Sequence, residues 1–335
     1  ANPDTVESAK FAGFRAAGVN RVSLGIQSFN PRHLKALGRI HDDSEARRAA
    51  ELAATHFDTF NLDLMYALPG QTLAEALEDV ETALSFRPPH LSAYHLTLEP
   101  NTPFGHTAPA NLPHDDLAAD MQLAIEARLT GAGMQHYETS AYAQSGHACR
   151  HNLNYWQFGD YLGIGAGAHS KLSFHDRIVR QMRTKHPQQY MQSLLHPSSA
   201  SGGGVGGLAA TGLPFSGSPV DCLVVSSEGH DSVVRASGGG AGGEGNHIAD
   251  QRVLTRTDLP FEFMMNALRL NDGVTAALFE ERTGLPLLVC ADALARARTH
   301  GLLERDLQKL RPTLQGQRFL NNLLEMFLPE VAATK

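Results

Sequence analysis

Arg21-Val-Ser-Leu-Gly-Ile-Gln-Ser-Phe-Asn30 is the stretch on which the fold of this chain turns. Val22, Leu24 and Ile26 alternate with Ser23, Gly25 and Gln27, so a strand here carries one bulky apolar face and one small polar face. Such a strand suits a parallel barrel packed by helices outside and wet within. Gln27 then falls near the C-terminal end of the strand, pointing inward, where such barrels place their ligands. Two later segments repeat the pattern. Phe60 to Tyr66 sets Phe60, Leu62 and Leu64 against Asn61, Asp63 and Met65, and Leu91 to Leu98 is expected to turn Ala93, His95 and Thr97 inward.

Helical rhythm fills the gaps between these strands. Residues 5–17 place Val6, Ala9, Phe14, Ala17 and the small Gly13 on one face, and residues 43–56 are rich in alanine. Asp42 stands three residues before Glu45 and Thr72 three before Glu75, each pair a capping-box pattern. Leu73, Leu77, Val80 and Leu84 form the stripe of the helix that follows Thr72. Strand and helix alternate every 30–40 residues or so, the spacing of stacked βα units. Beyond them, a long helix is expected over about 114–131 and strand over 134–143. His151-Asn-Leu-Asn-Tyr-Trp156 and Gly159-Asp-Tyr-Leu-Gly-Ile-Gly-Ala-Gly-Ala-His-Ser170 come next, the latter expected to hold backbone close against a neighbour.

From His196 to Asp250 glycine dominates, with serine and alanine between. Such a segment buries too little to offset its ordering entropy and is expected to be a disordered insertion. It has neither the strand–loop–helix setting nor the Gly-Lys-Ser/Thr of a phosphate loop. Helical patterns return from about 257 and recur over 274–284, 287–300 and 315–328, as in a small winged-helix-like domain without a basic face for DNA. The expected division is a partial barrel with a substrate-side extension over 1–195, the insertion over 196–250 and a C-terminal helical domain over 251–335.

The chain has 335 residues and a formal net charge of -7, so nothing global points to nucleic acid or an anionic membrane surface. No apolar run approaches the roughly 20 residues of a membrane helix, and no signal peptide is visible. Cys149, Cys222 and Cys290 lie too far apart for a disulfide framework or for a zinc or iron–sulfur spacing, which points to a reducing, cytoplasmic setting. Seventeen histidines direct attention to haem or metal ligation. The chain opens on Ala1, and Asn2-Pro3-Asp4-Thr5 reads as a strand-to-helix turn with no strand before it. An N-terminally incomplete sequence is the expectation.

Several motifs, in order, carry a family likeness. Asn2-Pro3, the run from Ala17 to Asn30, Leu37-Gly-Arg-Ile-His41 and Asn61-Leu-Asp-Leu-Met-Tyr-Ala-Leu-Pro-Gly70 resemble oxygen-independent coproporphyrinogen III oxidase-like radical SAM proteins. Tyr137-Glu-Thr-Ser140, His151 to Trp156 and Gly163-Ile-Gly-Ala-Gly-Ala-His-Ser170 resemble the haem chaperone branch of that family; Glu262-Phe-Met-Met, Leu268-Arg-Leu270 and Phe319-Leu-Asn321 extend the likeness. The resemblance implies an α/β fold: a radical SAM (β/α)6 barrel, here partial and lacking its N-terminal strands, plus the C-terminal helical domain. It also implies a [4Fe–4S] cluster on a Cys-x3-Cys-x2-Cys loop, with S-adenosylmethionine (SAM) bound to the fourth iron and cleaved to a 5′-deoxyadenosyl radical. In the oxidase that radical starts decarboxylation of propionate side chains. The chaperone branch binds haem and delivers it to respiratory acceptor proteins.

This chain also departs from the family pattern. It contains no Cys-x3-Cys-x2-Cys and no glycine-rich SAM loop, so as written it is not expected to assemble the cluster, and an inactive truncated product stands beside the chaperone and oxidase readings. Carried over by motif position, Gln27, Arg39 and Asp63 are expected to contact SAM: the amide by hydrogen bonds, the guanidinium through the carboxylate, the carboxylate through a ribose hydroxyl. Their plain alternatives are a strand-end amide in a turn, a surface cation and a helix-capping acid. Thr97 and His169 are expected along the same lumen. His151, beside Tyr155 and Trp156, is the candidate haem ligand, with the aromatics covering the porphyrin; its alternative is a helix-start histidine packed under the barrel. Cys149 is either a second, thiolate ligand or a simple buried thiol. Tyr137 and Glu138 are either structural or border the substrate cavity.

Overall fold

Local chemistry sets the first half of the molecule. In the computed structural model, which describes residues 1–39, 42–98, 103–195 and 247–329, α1 (Ser8–Ala16) leads into β1 (Arg21–Gln27), then α2 (Pro31–Ala36) and α3 (Asp43–His56). β2 (Thr59–Tyr66), α4 (Leu73–Ser85) and β3 (His90–His95) complete a parallel run, and the short α5 (Pro103–His106) leads to α6 (Asp115–Gly131). Both capping boxes form: Asp42 with Glu45 opens α3, and Thr72 with Glu75 opens α4. Ala46, Ala49, Ala50 and Ala53 are buried along α3, and these small side chains let the helix lie close on Leu24, Ile26, Phe60, Leu62 and Leu64, the apolar face of β1 and β2. An antiparallel hairpin of β4 (Gln135–Glu138) and β5 (Ala141–Ala143) closes the sheet beyond β3, giving the order β1-β2-β3-β5-β4.

Two expectations fail here. In α1 the buried residue is Phe11, edge-on to Phe57 at 5.4 Å, whereas Phe14 is 49% exposed and a Cβ on Gly13 would meet nothing within 4 Å. The helix touches the core along a single line, so a whole apolar face has no partner. In β3 the inward residues are His90 and Ser92, aligned with Asn61 and Asp63. Ala93 lies in the outer core, and His95 stacks edge-on to Tyr66 of that same core at 5.5 Å. A shift of one residue exchanges the faces of a strand, and Thr97, beyond the strand's end and exposed, does not line the lumen.

A second core gathers the rest. α7 (Arg150–Trp156) leads to an antiparallel sheet of β6 (His169–Ser173), β7 (Ile178–Arg183) and, beyond α8 (Pro187–Leu195), β8 (Ile248–Val253). Strand structure therefore resumes at Ile248, inside the expected 196–250 insertion; residues 196–246, with Cys222, lie outside the described residues. α9 (Leu259–Ala267), β9 (Val274–Thr275), α10 (Ala276–Thr283), α11 (Ala291–Thr299), β10 (Lys309–Leu310), α12 (Leu314–Arg318) and α13 (Leu320–Glu325) form the C-terminal unit, with β9 and β10 as a two-stranded ribbon. Phe158, Phe263 and Phe279 stack edge-to-face at its centre, 5.7 and 5.1 Å apart in turn. Glu262 of α9, 7% exposed, receives Arg180 of β7 at 2.7 Å and Arg252 of β8, so a buried carboxylate clamped by two guanidinium groups joins this unit to the three-stranded sheet.

Lys171 shows how the glycine-rich turn is held. It is 2% exposed, and its ammonium donates to Phe158 O, Asp160 Oδ1 and Ser173 Oγ at 2.9 to 3.0 Å, which uses all three of its hydrogens. Gly163 lies so close to His169 that a Cβ would stand 2.2 Å from the His169 carbonyl oxygen. Among the described residues, no helix is long and apolar enough to cross a membrane.

Candidate functional site

The polar face of the parallel strands is a single hydrogen-bonded network. Asp63 accepts from Ser23 Oγ and from Asn61 Nδ2, each at 2.8 Å. Asn61 Oδ1 meets His90 Nδ1 at 2.7 Å and Ser92 Oγ at 3.1 Å. His90 Nε2 meets the Tyr137 hydroxyl at 2.9 Å, and that oxygen accepts the backbone N–H of Cys149 at 3.3 Å. The direction of each bond follows from one end. A carboxylate only accepts, so the amide nitrogen of Asn61 faces Asp63 and its oxygen faces His90. His90 must then donate from Nδ1 and accept at Nε2, where Tyr137 donates. Burial, then the charges of Arg21 and His147, push the His90 imidazole down to about 3, so this neutral tautomer persists throughout the physiological range.

Gln27 sits where the strand breaks its rhythm. The register slips between Leu24 and Gln27, and Gln27 takes a left-handed φ of 68°, a conformation rare for a residue with a side chain and concentrated at functional positions. The side chain turns back over Gly25: a Cβ on Gly25 would stand 3.1 Å from Gln27 Nε2. The amide is thereby held on the polar face, 9% exposed. Asp79 of α4 braces this corner from behind, accepting from Ser28 Oγ at 2.7 Å and Phe29 N at 2.6 Å. Burial raises its carboxyl to about 6 against those two bonds.

α7 carries the second candidate set. His151 and Tyr155, four residues apart, share a helix face, their rings edge-on at 4.7 Å; Tyr155 in turn lies 4.3 Å from Tyr161. The His151 ring is half-buried, and burial, then the Arg21 charge, lower its basicity. The imidazole is therefore neutral at physiological pH, the form that ligates iron. Beneath the helix, Tyr137 takes the Cys149 N–H, Glu138 takes the Asn152 side chain, and the Arg269 guanidinium lies 5.0 Å over the Trp156 ring. Tyr137 and Glu138 thus support α7.

The expected site residues do not all converge. Gln27 and Asp63 share the polar face of β1 and β2. Arg39 is half-buried at the turn after α2, its N–H on Leu34 O at 3.0 Å; Ile40 and His41 of its motif lie outside the described residues. His169 begins β6 of the separate three-stranded sheet and is exposed, so it does not belong to the lumen strands. Cys149 is 7% exposed, which suits the buried thiol and not a ligand presented to a porphyrin; its contribution to the network is its backbone N–H. His90 and Ser92 lie on the face of β3 opposite the one expected to turn inward, although apolar Leu91 and Ala93 between polar His90, Ser92 and Tyr94 carry the signal. Arg21 was missed as well. Its Nε is buried without a hydrogen-bond partner, and its charge acts on both His90 and His151.

The residues present can be tested against the groups that the fold implies. Each Asp63 oxygen holds one donor and retains acceptor capacity for an incoming hydroxyl or ammonium, and the strained Gln27 amide faces the same side; these fit one wall of a SAM site. A neutral imidazole beside Tyr155, which itself lies against Tyr161, fits haem. The described cysteines, Cys149 and Cys290, are buried in different parts of the fold, and no group of three metal-ligating side chains occurs among the described residues.

Comparison with known proteins agrees with this architecture. Residues 1–83 match the Radical SAM superfamily and residues 254–319 match the HemN C-terminal domain. The heme chaperone HemW of Escherichia coli K12 is 42% identical over 332 residues, covering 98% of this chain and 74% of that protein. HemW of Haemophilus influenzae is 40% identical over the same length, covering 98% and 73%. In fold, the chain resembles the solved coproporphyrinogen III oxidase HemN of Escherichia coli, a radical SAM enzyme, with a TM-score of 0.68 at 20% identity, over 97% of this chain and 68% of that one. The partial radical SAM barrel with its HemN-type C-terminal unit, together with identity at this level along nearly the whole sequence, places the chain in the heme chaperone HemW family.

Proposed function

We propose that this protein binds haem through His151, with Tyr155 flanking the porphyrin, and passes it to an acceptor protein. The observation that carries this reading is the His151 imidazole: neutral, half-buried, and engaged by no hydrogen bond among the described residues, on a helix braced from below by Tyr137, Glu138 and Arg269. Haem would supply the iron; this chain supplies a nitrogen lone pair and an aromatic wall. Gln27, Asp63 and, by motif position, Arg39 would hold SAM. Following the family resemblance, the acceptors are respiratory haem proteins and the setting is the cytoplasm. The residues of this chain provide no cluster cysteines, and no radical step is assigned to it. The division into a barrel unit, a glycine-rich insertion and a C-terminal helical unit remains part of this reading.

Haem titration tests it. A Soret band that shifts on binding and is lost in His151→Ala, with the far-UV spectrum unchanged, is the expected result. A wild-type spectrum unaffected by His151→Ala would remove His151 as the ligand. Turnover of coproporphyrinogen III by reduced protein would instead assign the oxidase activity.

A further inference from the structure

The polar network of the lumen does not end at the lumen. It runs from Asp63 on β2 through Asn61, His90 on β3 and Tyr137 on β4 to the backbone N–H of Cys149, the residue that caps α7 two positions before His151. Each bond lies between 2.7 and 3.3 Å, and His90 and Asn61 are 1% and 2% exposed, so water does not substitute for a missing partner. The chain of donors also has one polarity, set by the carboxylate. A donor arriving at Asp63 shares the carboxylate with Asn61 and weakens the bond between them, and in a buried chain of hydrogen bonds that all point one way such a change is passed from each bond to the next. Tyr137 lies at the far end of that chain and holds the end of α7.

We propose that His90 and Tyr137 are positioning residues that couple occupancy of the Asp63 carboxylate to the orientation of α7, and so to the affinity of His151 for haem. The inference rests on the reading of Asp63 as a SAM contact and His151 as the haem ligand. It assigns these two buried groups a role in letting one ligand influence the other. Coupling between sites of this kind is commonly fivefold or more in affinity, and linkage makes it reciprocal.

The test is haem binding, followed at the Soret band in the full chain, with and without saturating SAM, in wild type, Tyr137→Phe, His90→Asn and the double variant. Tyr137→Phe keeps the ring that lies edge-on to His90 at 5.6 Å and deletes only the hydroxyl. His90→Asn keeps a donor toward Asn61 and cannot reach Tyr137. Expected are a SAM-dependent change of about fivefold in haem affinity in wild type, less than about twofold in each single variant, and no further loss in the double variant, since both break one link. Melting curves and SAM affinity serve as controls that the variants fold and still bind. Coupling that persists in both single variants, or losses that add, would overturn the relay. Wild type that binds both ligands without coupling would also overturn it while leaving the binding reading intact. Wild type whose haem spectrum ignores His151→Ala would overturn the binding reading, and the relay with it, and that control identifies which has failed.

Discussion

Glu138 makes the pH response of α7 predictable. Its carboxyl is 4% exposed, and burial raises it to about 7, against the opposing pull of the Ser140 N–H, the Arg269 charge and the Asn152 side chain. An acid whose folded value lies above its ordinary value of 4.5 binds its proton more tightly in the native state. Its contribution is then fullest below the unfolded value, declines as pH rises toward 7, and is lost above it. The full span is on the order of 3 kcal/mol, most of which falls between pH 5 and pH 8. Glu138→Gln, an uncharged near-isostere, removes this term. The variant should therefore gain on wild type as pH rises, by roughly 2–3 kcal/mol across that interval, while groups common to both cancel in the difference. Trp156 is the chain's single tryptophan and lies on α7 beside Arg269, so urea titration followed by its fluorescence reports the local opening of this helix. Parallel pH profiles for wild type and variant would show that Glu138 does not titrate in this range and that burial does not hold its proton.

Two further substitutions probe the geometry. Gly25→Ala should leave folding almost unchanged, because the atom that a new methyl meets is the end of the Gln27 side chain. It should weaken SAM binding by about fivefold, one displaced hydrogen bond, measurable by isothermal titration; unchanged affinity would remove Gln27 from the site. Gly163→Ala should fail at the level of the fold, since its methyl overlaps the His169 carbonyl and backbone cannot give way as a side-chain tip can. Soluble protein melting within a degree or two of wild type would contradict the close approach.

Much of the fold was legible where a signal and its partner are neighbours in the chain. Asp42 with Glu45 and Thr72 with Glu75 announce their helices because each cap closes on backbone three residues away. The alternation in β1 and β2 reports its own two faces, and Leu24, Ile26, Leu62 and Leu64 are buried as that alternation requires. Motif order along the sequence was enough to indicate the radical SAM family and its haem chaperone branch, and Gln27, Asp63 and His151 were marked from it.

What depends on distant partners was decided by the tertiary structure. The inward face of β3 is fixed by its pairing with β2, which sets His90 and Ser92 beside Asn61 and Asp63 where His95 and Thr97 were expected. β8 is a strand because it pairs with β7, from which it is separated by the glycine-rich segment; alone, Ile248–Val253 has no apolar pattern to declare it. Gln27 reaches its place through a register slip and a left-handed turn that no local rule for glutamine predicts. The link from Asp63 to α7 joins residues up to 88 positions apart, each with ordinary neighbours in sequence. Periodicity and capping record bonds a chain makes with itself within a few residues. The register of strands and the direction of a buried hydrogen-bond chain exist only once those distant segments share one desolvated space, where every donor must find an acceptor.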